Sequence, residues 1–171
     1  MTVIGIDPGL KGGIAVVDIQ GLVSCFVMPV LANSKGKDQL NEYALRDVLV
    51  AASTKAAFGD DRLHIFIEKQ QTMHKQGVTS GGTTMYGFGF LVGLCVGGRR
   101  PHTIVRAKEW QKEMFKGLPK ADPKVSSAIA AQRLYPEQNF KTKPSNKKLH
   151  DGLTDAALIA TYGWRQLNGG G

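Results

Sequence analysis

Four acids carry the chemistry this sequence could perform. Asp7 closes the apolar run Val3-Ile4-Gly5-Ile6 just ahead of Pro8-Gly9, and Glu68 closes Leu63-His64-Ile65-Phe66-Ile67. Asp151 and Asp155 stand four apart at the start of the last helical stretch, so they share one helix face. Sites in open α/β sheets form at the carboxyl ends of strands. If the two acid-tipped strands are neighbours, about 4.8 Å apart, both carboxylates reach one point in space. Four carboxylates at one point repel unless a cation is present. Hard oxygen donors, no thiolates and a single nearby histidine, His150, favour Mg²⁺ or Mn²⁺ over zinc. Magnesium keeps waters and accepts phosphate oxygens, which predicts a phosphodiester or phosphoanhydride substrate. With two ions, one can activate water and the other can stabilise the leaving oxygen.

Each acid also has a plainer structural role open to it. Asp7 could order its Pro-Gly turn, Glu68 could end its strand in a salt bridge, and Asp151 could be a first-turn acid favoured by the helix dipole. Asp155 is harder to account for in that way. It sits beside Ala156-Ala157, where an unpaired charge would be costly. The set is more specific than its members.

The elements that must position these residues can be read in order. Residues 3–7, 13–18 and 21–28 read as three strands joined by tight turns, hence an antiparallel meander. Residues 29–37 read as a polar loop, and Asp38 to Ala57 as a helix with Leu40, Ala44, Val48, Leu49 and Ala52 on one face. Residues 63–68 are a fourth strand, reached through that helix and so parallel to its neighbour. Residues 69–82 read as a loop. The segment from Thr83 to Gly98 reads as a helix whose Gly89, Gly93 and Gly97 form a smooth ridge, suited first to packing on the sheet and next to a subunit contact. His102–Val105 is a fifth strand, followed by a helix from Glu109 to Lys116 with Trp110 in the core. A further helix runs from Lys120 to Leu134, with Asp122 as cap, Pro123 at its first position and Val125, Ile129 and Leu134 turned inward. The last helix runs from Leu149 or His150 to Leu167. One domain spanning 1–168 is expected, with 169–171 a disordered tail.

The chain has 171 residues and a net charge of +8. From Arg99 to Lys148 there are thirteen Lys or Arg against four acids, and elsewhere nine against ten, so the positive excess lies in one third of the chain. Such a patch suits a polyanion such as nucleic acid, though a solvated lysine surface has the same composition. Cys25 and Cys95 show no metal-ligand spacing and fit a reduced compartment. No signal peptide precedes the first strand. The longest apolar stretch is also shorter than the roughly 20 residues of a membrane span, so a soluble, cytoplasmic chain is expected, organellar if a transit peptide has been removed.

Taken in order, Val3 to Gly9, the strand ending Ile67-Glu68 and the late His150-Asp151-Gly152-Leu153-Thr154-Asp155-Ala156-Ala157 resemble the RuvC family of Holliday junction resolvases. The likeness is greatest to the branch that includes phage and plant organellar enzymes. Gly77-Val78-Thr79-Ser80, Trp110-Lys112 and Leu134-Tyr135-Pro136 extend it over nearly the whole chain. The resemblance implies an RNase H-like α/β fold: a five-stranded mixed sheet, three strands antiparallel and then two parallel, flanked by helices. It implies a homodimer, a four-way DNA junction as partner, and symmetric nicking of opposed strands that depends on two Mg²⁺ per site, with Mn²⁺ able to substitute. Catalytic and metal-binding roles fall on Asp7, Glu68, Asp151 and Asp155. The family generally spaces its last two metal-site residues three apart, but here Gly152 occupies that position, so either Asp151 or His150 completes the set. The loop after Glu68 offers Met73 or His74 as a wedge at the junction centre and Lys75 as a phosphate contact. Lys116, Lys120, Lys124, Lys141, Lys143, Lys147 and Lys148 are candidates for the junction arms.

Three other readings stay open. The opening stretch also resembles the first phosphate loop of sugar kinases, actin and Hsp70-type ATPases, but those proteins have two such lobes and this chain has room for one, so no nucleotide cofactor is expected. An RNase H-like nuclease acting on RNA/DNA hybrids and a junction-binding protein without catalysis are the others.

Overall fold

A computed structural model of the chain describes residues 1–58 (backbone alone for 55–58), 62–72, 77–143 and 145–169. Its centre is a five-stranded sheet ordered β3-β2-β1-β6-β7, formed by β1 (Thr2–Asp7), β2 (Gly13–Val17), β3 (Val23–Val27), β6 (Leu63–Glu68) and β7 (His102–Val105). The first three strands are antiparallel, and β1–β6 and β6–β7 are parallel. This is the mixed sheet expected from the strand signals, with β6 and β7 at the expected residues.

Alternation along β1 sets the layers. Ile4 and Ile6 face one side, where they meet Ile65, Ile67, Leu45, Leu49, Leu91 and Cys95 from β6, α1 (Glu42–Phe58) and α2 (Val78–Gly97). Val3 faces the other side with Ala15, Val17 and Phe66, against α3 (Ala107–Met114), α4 (Pro123–Leu134) and α5 (Asp151–Asn168). Both faces of the central strands are therefore covered, which is why β1 and β6 read as continuous apolar runs rather than alternating ones. Each fully buried Ile or Leu contributes roughly 1.5–3 kcal/mol of transfer free energy to this double core.

The helix α5 lies close on β1 because glycines remove the side chains that would keep it off. A Cβ on Gly5 would run into the Ala156 carbonyl oxygen and the Ala160 backbone, and one on Gly152 would run into the backbone of Lys11 and Gly12. Gly163 likewise accommodates the Phe66 ring. The contacts at Gly5 and Gly152 are backbone-on-backbone, so they fix where α5 begins relative to the end of β1.

Several expectations are corrected. Residues 29–40 are not a loop followed by a helix start. Val30–Ala32 (β4) and Asp38–Leu40 (β5) pair as a separate antiparallel hairpin. Its turn is held by Asn33, whose Oδ1 accepts from Lys35 N at 2.9 Å and Lys37 N at 3.0 Å, while Gly36 takes φ 69°. Asn41 then caps α1, accepting from Ala44 N at 3.1 Å, and Leu40 is buried from a strand.

Helix α2 begins five residues earlier than expected, and its glycine ridge does not pack on the sheet. Its inward stripe is Gly87, Leu91 and Cys95, whereas added Cβ atoms on Gly82, Gly89, Gly93 and Gly97 would meet nothing within 4 Å. On α4, Val125 and Ile129 are 50% and 43% exposed. The buried residues are Ser126, Ser127, Ala130 and Ala131, because α4 packs against α5 through small side chains rather than large ones. Asp122 does cap α4, accepting from Lys124 N at 2.9 Å, with Pro123 at the first turn. Gly169 closes α5 through its N–H to the Arg165 carbonyl oxygen at 2.8 Å, and the last two glycines lie outside the described residues. Among the described residues no helix is long and apolar enough to cross a membrane.

Candidate active site

Strand parity decides which face the first two acids serve. Asp7 has the parity of Val3 and Gly5, and Glu68 that of Phe66, so both belong to the α5 side of the sheet. The parallel register pairs Ile6 with Ile67, and its next step brings Asp7 beside Glu68. Neighbouring strands are about 4.8 Å apart, which makes the two carboxylates near neighbours. Helix α5, seated on β1 by Gly5 and Gly152, brings Asp155 toward the same end.

The Asp7 carboxyl is pushed up to about 7, first by burial and then by the charges of Glu68 and Asp155, against a hydrogen bond from Gly9 N to Oδ1 at 3.4 Å. Asp155 is pushed up to about 6, chiefly by burial, with a Ser127 hydrogen bond opposing and Asp151 adding to the rise. Glu68 is raised by burial, opposed by Trp110, with Asp155 contributing. Burial and mutual repulsion thus act together at one place.

Asp151 is placed differently. It is half exposed, and its Oδ2 lies 2.9 Å from Lys124 Nζ at the start of α4. Lys124 is the one candidate lysine among the described residues with a recorded ion pair to a candidate acid. Lys116, Lys120, Lys143, Lys147 and Lys148 are exposed and Lys141 is partly covered, spread over the segments before α4 and before α5. Met73, His74 and Lys75 lie outside the described residues.

Position 152 has no room for a fourth ligand, since the Lys11–Gly12 backbone occupies the space of any side chain there. His150 stands at the N-cap position of α5 without a side-chain cap bond, and its Nδ1 is buried without a hydrogen-bond partner. The oxygen Oδ1 of Asp155 is buried and unpartnered as well. Buried polar atoms are almost always satisfied, so these two atoms are open to an ordered water or a bound cation. Among the described residues, no three His, Cys, Asp or Glu side chains are already gathered closely enough to hold a metal ion. The chemistry of the donors fits a hard divalent cation nonetheless: carboxylate oxygens, three of them held against their own charge, one with an orphaned oxygen.

Sequence reasoning missed one polar contact. Trp110 was expected in the core and is fully buried, but its Nε1 also donates to Glu68 Oε2 at 2.8 Å. No sequence signal marks that pairing, because the two residues meet only through the β6–β7 pairing and the turn into α3.

The raised carboxyls predict how stability depends on pH. An unfolded aspartate releases its proton near pH 4, whereas folded Asp7 and Asp155 hold theirs up to about 7 and about 6. The folded state therefore binds more protons than the unfolded state across that window, and cation-free stability falls as pH rises through it. Asp7 alone contributes a loss on the order of 2–4 kcal/mol. Thermal melts in chelator at about pH 5 and about pH 8 should show the lower melting temperature at the higher pH, with Mg²⁺ restoring it. Equal cation-free melting temperatures at both would contradict this electrostatic picture.

No protein-family model and no curated protein matches the chain at the sequence level. Solved structures do match in fold. Thermus thermophilus RuvC in complex with a Holliday junction substrate aligns with a TM-score of 0.56 at 16% identity, over 98% of this chain and 96% of that one. Thermus thermophilus RuvC on its own aligns at 0.52 over the same shares, also at 16% identity. The yeast mitochondrial Holliday junction resolvase Ydc2 aligns at 0.53 and 15% identity, over 94% of this chain and 76% of that one. At such identities the likeness is one of fold, and the chain has the mixed-sheet RNase H-like architecture of these neighbours.

Proposed function

We propose that the chain is a junction-resolving endonuclease, nicking opposed strands of four-way DNA in a reaction that depends on Mg²⁺. The observation that carries this reading is that Asp7 and Glu68 end adjacent parallel strands, each raised chiefly by burial, with the charge of Asp155 acting on both, in a fold like that of RuvC. Unneeded clustered carboxylates would only destabilise the native state. Their presence speaks against a binding protein without catalysis.

In this reading Asp7, Glu68 and Asp155 hold divalent cation, with Asp151 or His150 completing the set. Divalent cations held by these carboxylates would supply an activated water and a counter-charge for the departing 3′ oxygen. The chain's own groups orient and exclude. Gly9 N–H holds Asp7 Oδ1 and Trp110 N–H holds Glu68 Oε2, so neither carboxylate rotates freely. Burial keeps bulk water from screening them. Lys124 balances Asp151 and stands ready to exchange it for a DNA phosphate, and the lysines from Lys116 to Lys148 follow the arms.

Two symmetric nicks require two sites, and one chain carries one. The open ridge of α2, with Tyr86 and Val96 exposed along it, is the face on which a second copy would dock to form the homodimer. The reading is tested by incubating the chain with a mobile four-way junction, a linear duplex and an RNA/DNA hybrid, in Mg²⁺ and in chelator. Cutting of the junction alone, lost in chelator, is expected. Preferred cutting of the hybrid would favour an RNase H-like activity instead, and binding without products would indicate a catalytically inactive protein.

A further inference from the structure

The chain has two tryptophans, and both spend their single N–H donor on a partner distant in sequence. Trp164 Nε1 donates to the Asp18 carbonyl oxygen at 3.0 Å, a backbone acceptor of the kind a packed indole commonly finds. Trp110 Nε1 donates to Glu68 Oε2 at 2.8 Å, a carboxylate at the mouth of the candidate site. The contrast is informative, because an indole that needed only satisfaction would be served by any nearby carbonyl.

Trp110 is also held more firmly than its burial requires. Helix α3 leaves β7 one residue after Val105, which pairs with Glu68, so the helix start and the acid share one pairing frame. Its first turn is tied by the Glu109 carboxylate, which accepts from Arg106 N at 2.9 Å. The Phe115 ring meets the indole nearly edge-on, at 5.7 Å and 79°. Val105, Met114 and Ala131 belong to the same buried cluster. A donor fixed in this way selects both the rotamer of Glu68 and the oxygen that is engaged.

We propose that Trp110 is a positioning residue for the site: its N–H holds Glu68 Oε2 and thereby leaves Oε1 to the cation. This rests on Glu68 being a cation ligand, as proposed above. It makes α3 part of the site's framework, although no residue of that helix meets the reacting atoms.

The test compares Trp110→Phe with Glu68→Gln in the full chain, reading Mn²⁺ affinity by electron paramagnetic resonance and the fold by thermal melting. Trp110→Phe keeps a ring in the core and removes the N–H. Expected is a folded variant with Mn²⁺ affinity lower on the order of ten-fold, the usual size of an outer-shell effect. In the wild type, Mg²⁺ should move the Trp110 indole N–H resonance and leave that of Trp164 in place. Glu68→Gln should abolish this response. Unchanged Mn²⁺ affinity in Trp110→Phe, with affinity lost in Glu68→Gln, would overturn the positioning role and leave the reading of the site intact. Unchanged affinity in both would overturn that reading and this inference with it. If Trp110→Phe does not fold, the wild-type resonance decides, and an indole signal indifferent to Mg²⁺ overturns the proposal.

Discussion

Asp7→Asn should abolish junction nicking, by on the order of 10³-fold or more, while junction binding persists. Asparagine keeps the shape of the side chain and can still accept the Gly9 N–H, so the turn into Pro8-Gly9 survives. What it loses is the charge at the most crowded carboxylate of the set, the one that senses Glu68, Asp155 and Asp151 together. The same removal relieves repulsion, so cation-free Asp7→Asn should melt at a higher temperature than wild type near pH 8. A variant that is at once inactive and more stable separates a functional acid from a structural one. Gel-shift, nicking and melting measurements on one preparation check all three. A less stable variant would return Asp7 to the role of a turn residue.

The second large effect concerns Gly152. Its Cα faces the backbone of Lys11 and Gly12, and main chain on both sides leaves nothing flexible to yield. Gly152→Ala should therefore destabilise by about 3 kcal/mol, a drop in melting temperature of roughly 6–12 °C for a chain of this length. Gly152→Asp would install an acid three residues before Asp155, the spacing general in the RuvC family, yet it should fail to restore a fourth ligand and should fold worse still. The reason is geometric: α5 would have to lift from the β1–β2 turn, carrying Asp155 away from Asp7. Calorimetry of both variants, set against the nicking assay, checks this. A stable and active Gly152→Asp protein would contradict the packing that sets α5 in place.

The sheet and its acids were legible because each signal is local. An apolar run that ends on a carboxylate before a turn states both the strand and its functional end, as at Asp7 and Glu68, and Asp122-Pro123 states a helix start. Other features depend on partners that the sequence does not reveal. Asp38–Leu40 fits the apolar period of the helix that follows it, and only the Asn33 turn and the Asn41 cap show that a hairpin comes first. On α4 the larger side chains Val125 and Ile129 suggested the inward face, whereas the neighbour α5 admits only Ser126, Ser127, Ala130 and Ala131. The glycines of α2 suggested a smooth side packed on the sheet, whereas that side meets open space, because Gly87, Leu91 and Cys95 form the inward stripe. Trp110 was legible as core by its size, but the direction of its N–H was not, since it depends on the pairing of β6 with β7.

If the same buried set of acids acts once in each of two copies, the cuts on opposed strands of a junction are paired and symmetric. The direct measurement labels each strand of a mobile four-way junction in turn, maps the cuts made in Mg²⁺ on denaturing gels, and treats the products with ligase. Cuts are expected at equivalent positions on two opposed strands, giving nicked duplexes that ligase seals, with none in chelator and none from Asp7→Asn. Cuts scattered over all four strands, or cuts that persist in Asp7→Asn, would contradict it.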